Sequence, residues 1–149
     1  MVRVKTFDID QVYKRYNLVY RDSKYEMFYY NYHFWATRPA YIVTDAILRH
    51  VKSSGMFREV ILELEKKPDY VITGRIIALD RINSGERWFA RASMEFVMKD
   101  FHTDKVMSSH YFERRKEVFN RNPVYIVRAL SSLIEQETSE FLKKIDEKI

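Results

Sequence analysis

The chain has 149 residues, 46% of them apolar, with a formal net charge of +5 and a pI near 9.3. That length supports one domain, residues 1–149, with a real core, and only three Gly and three Pro exclude a disordered or loop-rich chain. The lack of cysteine excludes disulfides, thiol nucleophiles and thiolate-bound metals, and no apolar run approaches the ~18 residues of a membrane span.

Residues 2 to 9 alternate Val2, Val4, Thr6 against Arg3, Lys5, Phe7, which predicts a first strand. Tyr13 to Tyr20 and Lys24 to Tyr32 are expected to pair as an aromatic hairpin about the polar turn Asp22-Ser23-Lys24. Alternation places Tyr25, Met27 and Tyr29 on one face of the second strand and Phe28, Tyr30, Tyr32 and Phe34 on the other; Trp35 is taken as core. Pro39 suits a first helical position, where its missing N–H would have no partner anyway. The helix runs to about Ser53, with Val43, Ala46, Ile47, His50 and Val51 on one face, and Gly55 stops it.

Phe57 to Glu63 reads as a strand and Glu65 to Pro68 as a turn. Asp69 to Asn83 is a long strand, with Tyr70, Ile72, Gly74, Ile76 and Ala78 on one face and Val71, Thr73, Ile77 and Leu79 on the other. A strand apolar on both faces belongs at the centre of a sheet, covered on both sides for part of its length. After Ser84-Gly85, Arg87 to Lys99 sends Trp88, Ala90, Ala92, Met94, Phe96 and Met98 to one side, the small residues leaving room for a helix. Val106 to Val118 completes a meander. Asn122 caps and Pro123 opens a final helix with the stripe Ile126, Leu130, Leu133, Ile134, Phe141 and Ile145. The expected fold is an α/β sandwich of the α+β kind: a mostly antiparallel sheet with an N-terminal aromatic hairpin and two helices packed on one face.

No catalytic motif emerges. His33, His50, His102 and His110 lack metal-motif spacing, and there is no HExxH, no GxSxG and no phosphate-binding glycine loop. Glu63 and Glu65 read as solvated charges at a turn. The expectation is no enzyme, no cofactor and no metal. Eleven of the 23 aromatics lie between Tyr13 and Tyr41, more than one face of a small hairpin can bury. Core packing with cross-strand pairs accounts for many of them. The remainder would form an exposed patch for a protein or lipid partner, and Tyr20, Arg21, Tyr25 and Tyr29 are the expected contact surface. Arg21 could equally stack on or pair within the hairpin.

The order of these pieces resembles the ABC-type transport auxiliary lipoproteins of the PqiC/YmbA kind. The resemblance rests on Tyr20-Arg21, on Tyr30 and Tyr32 before Trp35-Ala36 and Pro39, and on Ser54-Gly55-Met56-Phe57. It continues through Asp69-Tyr70 with Gly74, through Asp100 with Thr103-Asp104-Lys105-Val106, and into the last helix. It implies a non-catalytic periplasmic lipoprotein, tethered to the outer membrane and serving an ABC transporter of the MCE (mammalian-cell-entry) lipid-trafficking type. Members of that family begin with a signal peptide and a lipobox cysteine; neither is in this sequence, so under the resemblance Met1 is an added start. The alternative from a different class is a nucleic-acid-binding module, stacking bases on aromatics and meeting phosphates with Arg114, Arg115 and Lys116. Glu113 and Glu117 flank that cluster, which is more mixed than a phosphate-binding stripe, and no nucleic-acid partner is expected.

Overall fold

The computed structural model describes residues 1–14, 17–21, 27–34 and 38–148, with the side chains of all but Asn17, 27–34 and Lys148. The elements run β1 (Val2–Val4), β2 (Asp8–Ile9), a single 3-10 turn (Gln11–Tyr13), β3 (Asn17–Arg21), β4 (Met27–Phe34) and α1 (Pro39–Ser53). They continue as β5 (Val60–Ile61), β6 (Tyr70–Ser84), β7 (Arg87–Asp100), β8 (Val106–Val118) and α2 (Pro123–Lys148).

The long strand β6 is the hub. Along one of its edges β1, β2 and β3 pair in parallel, one after another, with Val2 opposite Tyr70, Asp8 opposite Arg75 and Val19 opposite Asp80. Its other edge takes β7 antiparallel over its whole length, and β8 lies antiparallel outside β7. β5 flanks β1, and β4 flanks β3 as the expected antiparallel hairpin. Short parallel strands therefore fill one half of a sheet that is antiparallel over most of its paired residues.

Three strand boundaries differ from expectation. The stretch 2–9 breaks into two strands because the intervening segment turns inward, Lys5 N–H donating to the Ile72 carbonyl and Phe7 N–H to Thr44 Oγ1 on α1. Tyr13 closes the 3-10 turn instead of opening the hairpin. The 57–63 strand shrinks to Val60–Ile61, since its one neighbour among the described residues, β1, offers only Val2 and Arg3 as partners.

The two helices lie on the expected common face. β7 alternates as expected, with Ala90, Ala92, Met94, Phe96 and Met98 all fully buried beneath them. In β6 the alternation inverts midway. The register steps from Ile76–Met94 to Ala78–Ser93, so Ile77 is an extra residue, a bulge. Leu79, not Ala78, therefore joins Ile72 and Ile76 on the helix face, and Asp80 is sent to the other. The helix ends follow their sequence signals. Pro39 stands at the start of α1, and Gly55, with φ of 69°, stops it in the left-handed region that glycine enters without strain. Asn122 Oδ1 accepts the Val124 N–H at 3.1 Å at the start of α2. All six residues of the expected α2 stripe are buried, and a helix of this length spans roughly 40 Å of sheet.

Gly74 has a steric role. A β-carbon there would lie 2.3 Å from the Glu95 carbonyl oxygen and 2.3 Å from the Phe7 ring. Gly74→Ala is expected to cost about 1–3 kcal/mol in urea unfolding. A midpoint equal to wild type would show that Phe7 is not pinned against the strand.

Candidate functional site

Successive residues of a strand point to opposite faces, and β3 separates Tyr20 from Arg21 in this way. Arg21 turns away from the helices and donates from Nε to Asp80 Oδ2 at 3.1 Å. Asp80 is wholly buried. It also accepts both prongs of Arg91, at 2.9 and 2.8 Å, and the Tyr13 hydroxyl at 2.7 Å. The bidentate bond to Asp80 raises the pKa of Arg91, while burial, reinforced by the Asp80 charge, pushes up that of Tyr13. Of the roles open to Arg21 from sequence, pairing within the fold is the one the structure assigns.

Tyr20 points to the helix face. There the Arg81 guanidinium is stacked with the Tyr20 ring at 4.5 Å and the Trp88 ring at 3.9 Å, and Arg121 reaches Trp88 at 5.2 Å. Val118 pairs with Trp88, and the chain leaves the sheet at Phe119, which is 87% exposed. Val124 and Tyr125, on the first turn of α2, are also exposed, with the Arg128 guanidinium 5.3 Å from the Tyr125 ring. One end of the sandwich thus presents apolar side chains among arginines, the residue types that anchor protein interfaces. Sequence reasoning missed Phe119 and Tyr125. The available signal was an aromatic set in the polar turn Phe119-Asn120-Arg121-Asn122, directly after a strand.

The remaining expected contact residues are placed only in part. Tyr29 pairs with Val19 across the hairpin through its backbone. Tyr25 and Trp35 lie outside the described residues. The basic cluster does not form one surface. Arg114 and Lys116 turn toward α2, meeting Glu137 at 3.2 Å and Ser132 at 3.3 Å, whereas Arg115 stands opposite Arg91 on the other face.

Between α1 and α2 runs a groove of about 540 Å³, floored by Leu79 and walled by Ile42, Val43, Leu130 and Ile134. His50 Nε2 and Ser139 Oγ, 2.9 Å apart, join the two helices across it. Among the described residues no cluster of His, Asp and Glu could hold a metal ion, and no helix is long and apolar enough to cross a membrane.

The family model of the ABC-type transport auxiliary lipoprotein component matches residues 1–141. Among solved structures, a protein of Xanthomonas campestris superposes with a TM-score of 0.84 at 15% identity, covering 95% of this chain and 81% of that one. PelC of Paraburkholderia phytofirmans, solved as a dodecamer, gives a TM-score of 0.63 at 12% identity, covering 97% and 85%. A hypothetical protein of Chlamydia trachomatis gives 0.60 at 8% identity, covering 99% and 96%. Identities this low establish a shared fold. No curated protein matches the chain. Matched over nearly its whole length, the chain belongs to the ABC-type transport auxiliary lipoprotein component family.

Proposed function

We propose that this domain is the non-catalytic lipoprotein subunit of an ABC-type lipid-trafficking system of the MCE class. It sits in the periplasm, is held to the outer membrane by an N-terminal lipid, and acts by binding the transporter component that spans the envelope. The observation that carries this reading is the family match across residues 1–141. The exposed apolar side chains of Phe119, Val124 and Tyr125 among Arg121 and Arg128 support a protein partner. An anchored domain on a flexible leash gains effective concentration at one membrane, so a modest interface suffices for stable engagement.

The test is co-purification from native membranes, with the full-length protein carrying its own N-terminal region. The MCE-type component should be recovered with it, and the protein should fractionate with the outer membrane. Replacing Phe119 and Tyr125 together by Asp should weaken recovery about tenfold or more, as for central interface anchors, without moving the melting temperature. Absence of the component from the wild-type eluate would sink the reading.

A further inference from the structure

α2 crosses β8 where His110 points up from the sheet. His110 stands opposite Phe96 on β7 and is packed among the rings of Phe96, Phe112 and Phe141, with centroids at 6.1, 6.2 and 6.5 Å. Its side chain is 10% exposed, and that of Glu137, above it on α2, is 3% exposed. Among the described residues neither ring nitrogen has a hydrogen-bond partner, and Nε2 stops 3.7 Å short of Glu137 Oε2. That separation is too long for a hydrogen bond. The Glu137 carboxylate is engaged instead by Arg114, whose Nε donates to Oε1 at 3.2 Å. The charged groups acting on the ring are Glu137, Glu140 and Lys144 from α2 and, through Glu137, Arg114 from β8. β7 contributes the uncharged Phe96.

We propose that His110 is an acid-sensitive latch, seating α2 on β8 while its ring is neutral and loosening that seat when the ring takes a proton. As a neutral ring it is one more member of an aromatic cluster. As a cation it would sit in that cluster with little water, beside a carboxylate already shared with Arg114 and within the field of Lys144. A buried charge without a full partner is costly. Burial foremost, then Lys144, holds the His110 pKa below its ordinary 6.5, against the opposing pull of Glu137 and Glu140. A group whose folded pKa is depressed stabilises the fold fully above its unfolded pKa, and that stability is lost as pH falls toward the folded pKa. Its window opens at 6.5, above that of Asp100, held low by the Thr103 and His102 N–H groups, and of Glu117, held low by Arg87. Among the described residues β8 pairs only with β7, so the seat lies at a sheet edge, where local opening is easiest. The inference is independent of the transport reading.

Three readouts on the full chain test it between pH 7.5 and 5. The His110 ring signal, assigned through its contacts with Phe96 and Phe141, should titrate below 6.5. The unfolding constant in urea should rise about tenfold for each pH unit between 6.5 and the folded pKa. Hydrogen exchange, corrected for intrinsic rates, should accelerate first in α2 around Glu137 and in β8. His110→Phe, which suits the ring cluster, should abolish the pH dependence of both stability and exchange. A His110 pKa above 6.5, or a stability that is flat or rises on acidification, would overturn the proposal. So would an acid response that persists in His110→Phe. The wild-type titration decides the matter even if the variant does not fold.

Discussion

Asp80→Ala should lower the unfolding free energy by about 3–5 kcal/mol, the range seen when one partner of a buried ion pair is removed. The carboxylate is fully buried and accepts four hydrogen bonds, two from Arg91 and one each from Arg21 and Tyr13. Its loss leaves two guanidiniums, only 24% and 20% exposed, without their shared buried carboxylate, and Arg91 keeps only the more distant, half-exposed Glu113 at 3.8 Å. It also leaves the Tyr13 hydroxyl without its closest acceptor. Urea unfolding measures the loss. Because the members act as a unit, Asp80→Ala combined with Arg91→Ala should cost less than the sum of the two single changes. Additive losses would mean that Asp80 and Arg91 stabilise the fold separately. The network also bears on the end of the domain where Phe119 and Tyr125 are exposed. It ties the 3-10 turn and the end of β3 to β6 and β7, and β3 carries Tyr20 into the stack with Arg81 and Trp88. Weakening it should therefore disturb the neighbouring surface around Phe119 as well as global stability.

What the sequence made legible were the elements whose signals are local. Pro39 and Gly55 bracket α1, Asn122-Pro123 starts α2, and the one-sided alternation of β7 announces which face the helices cover. What it hid depended on partners remote in the chain. The bulge at Ile77 falls within Ile76-Ile77-Ala78-Leu79, where every residue is apolar, so no polar position marks the change of face. Phe57 to Glu63 has strand-like residues, but a strand extends only as far as its neighbour, and β1 is three residues long. Asp80 was visible as a charge inside an apolar strand. Its meaning required the parallel pairing of β3 with β6, which brings Arg21 beside it across 59 residues of chain. The aromatic surplus near the N-terminus was plain. Of the four residues chosen from it as a contact surface, Arg21 is bound to Asp80 and Tyr20 lies at the edge of the arginine-rich end. The exposed aromatics of that end, Phe119 and Tyr125, come from the opposite end of the sequence.

Phe96→Ala should cost about 3–5 kcal/mol, the usual span for emptying a buried phenylalanine site, and there are physical reasons to place it in the upper half. Phe96 is wholly buried at the junction of three parts of the fold. Its ring meets Phe7 of the N-terminal segment edge-on at 5.5 Å, Phe112 of β8 at 6.2 Å and Phe141 of α2 at 5.1 Å. Its cross-strand neighbour is Gly74, which has no side chain to lean into the space. Phe7 is already wedged against that glycine and cannot advance without leaving its bond to Thr44. The cavity should therefore stay largely open, and residual cavity volume is what makes one truncation dearer than another of the same chemistry. Phe96→Leu, which refills part of the volume, should recover at least half of the loss. A truncation costing under about 1 kcal/mol would mean that the surrounding rings collapse inward and that Phe96 is not the pin between sheet, α2 and N-terminal segment. The same substitution removes one wall of the His110 site. If water enters, the desolvation that holds the His110 pKa down is relieved, and its titration should move toward 6.5 in Phe96→Ala. Stability and titration thus read the same packing by two independent measurements.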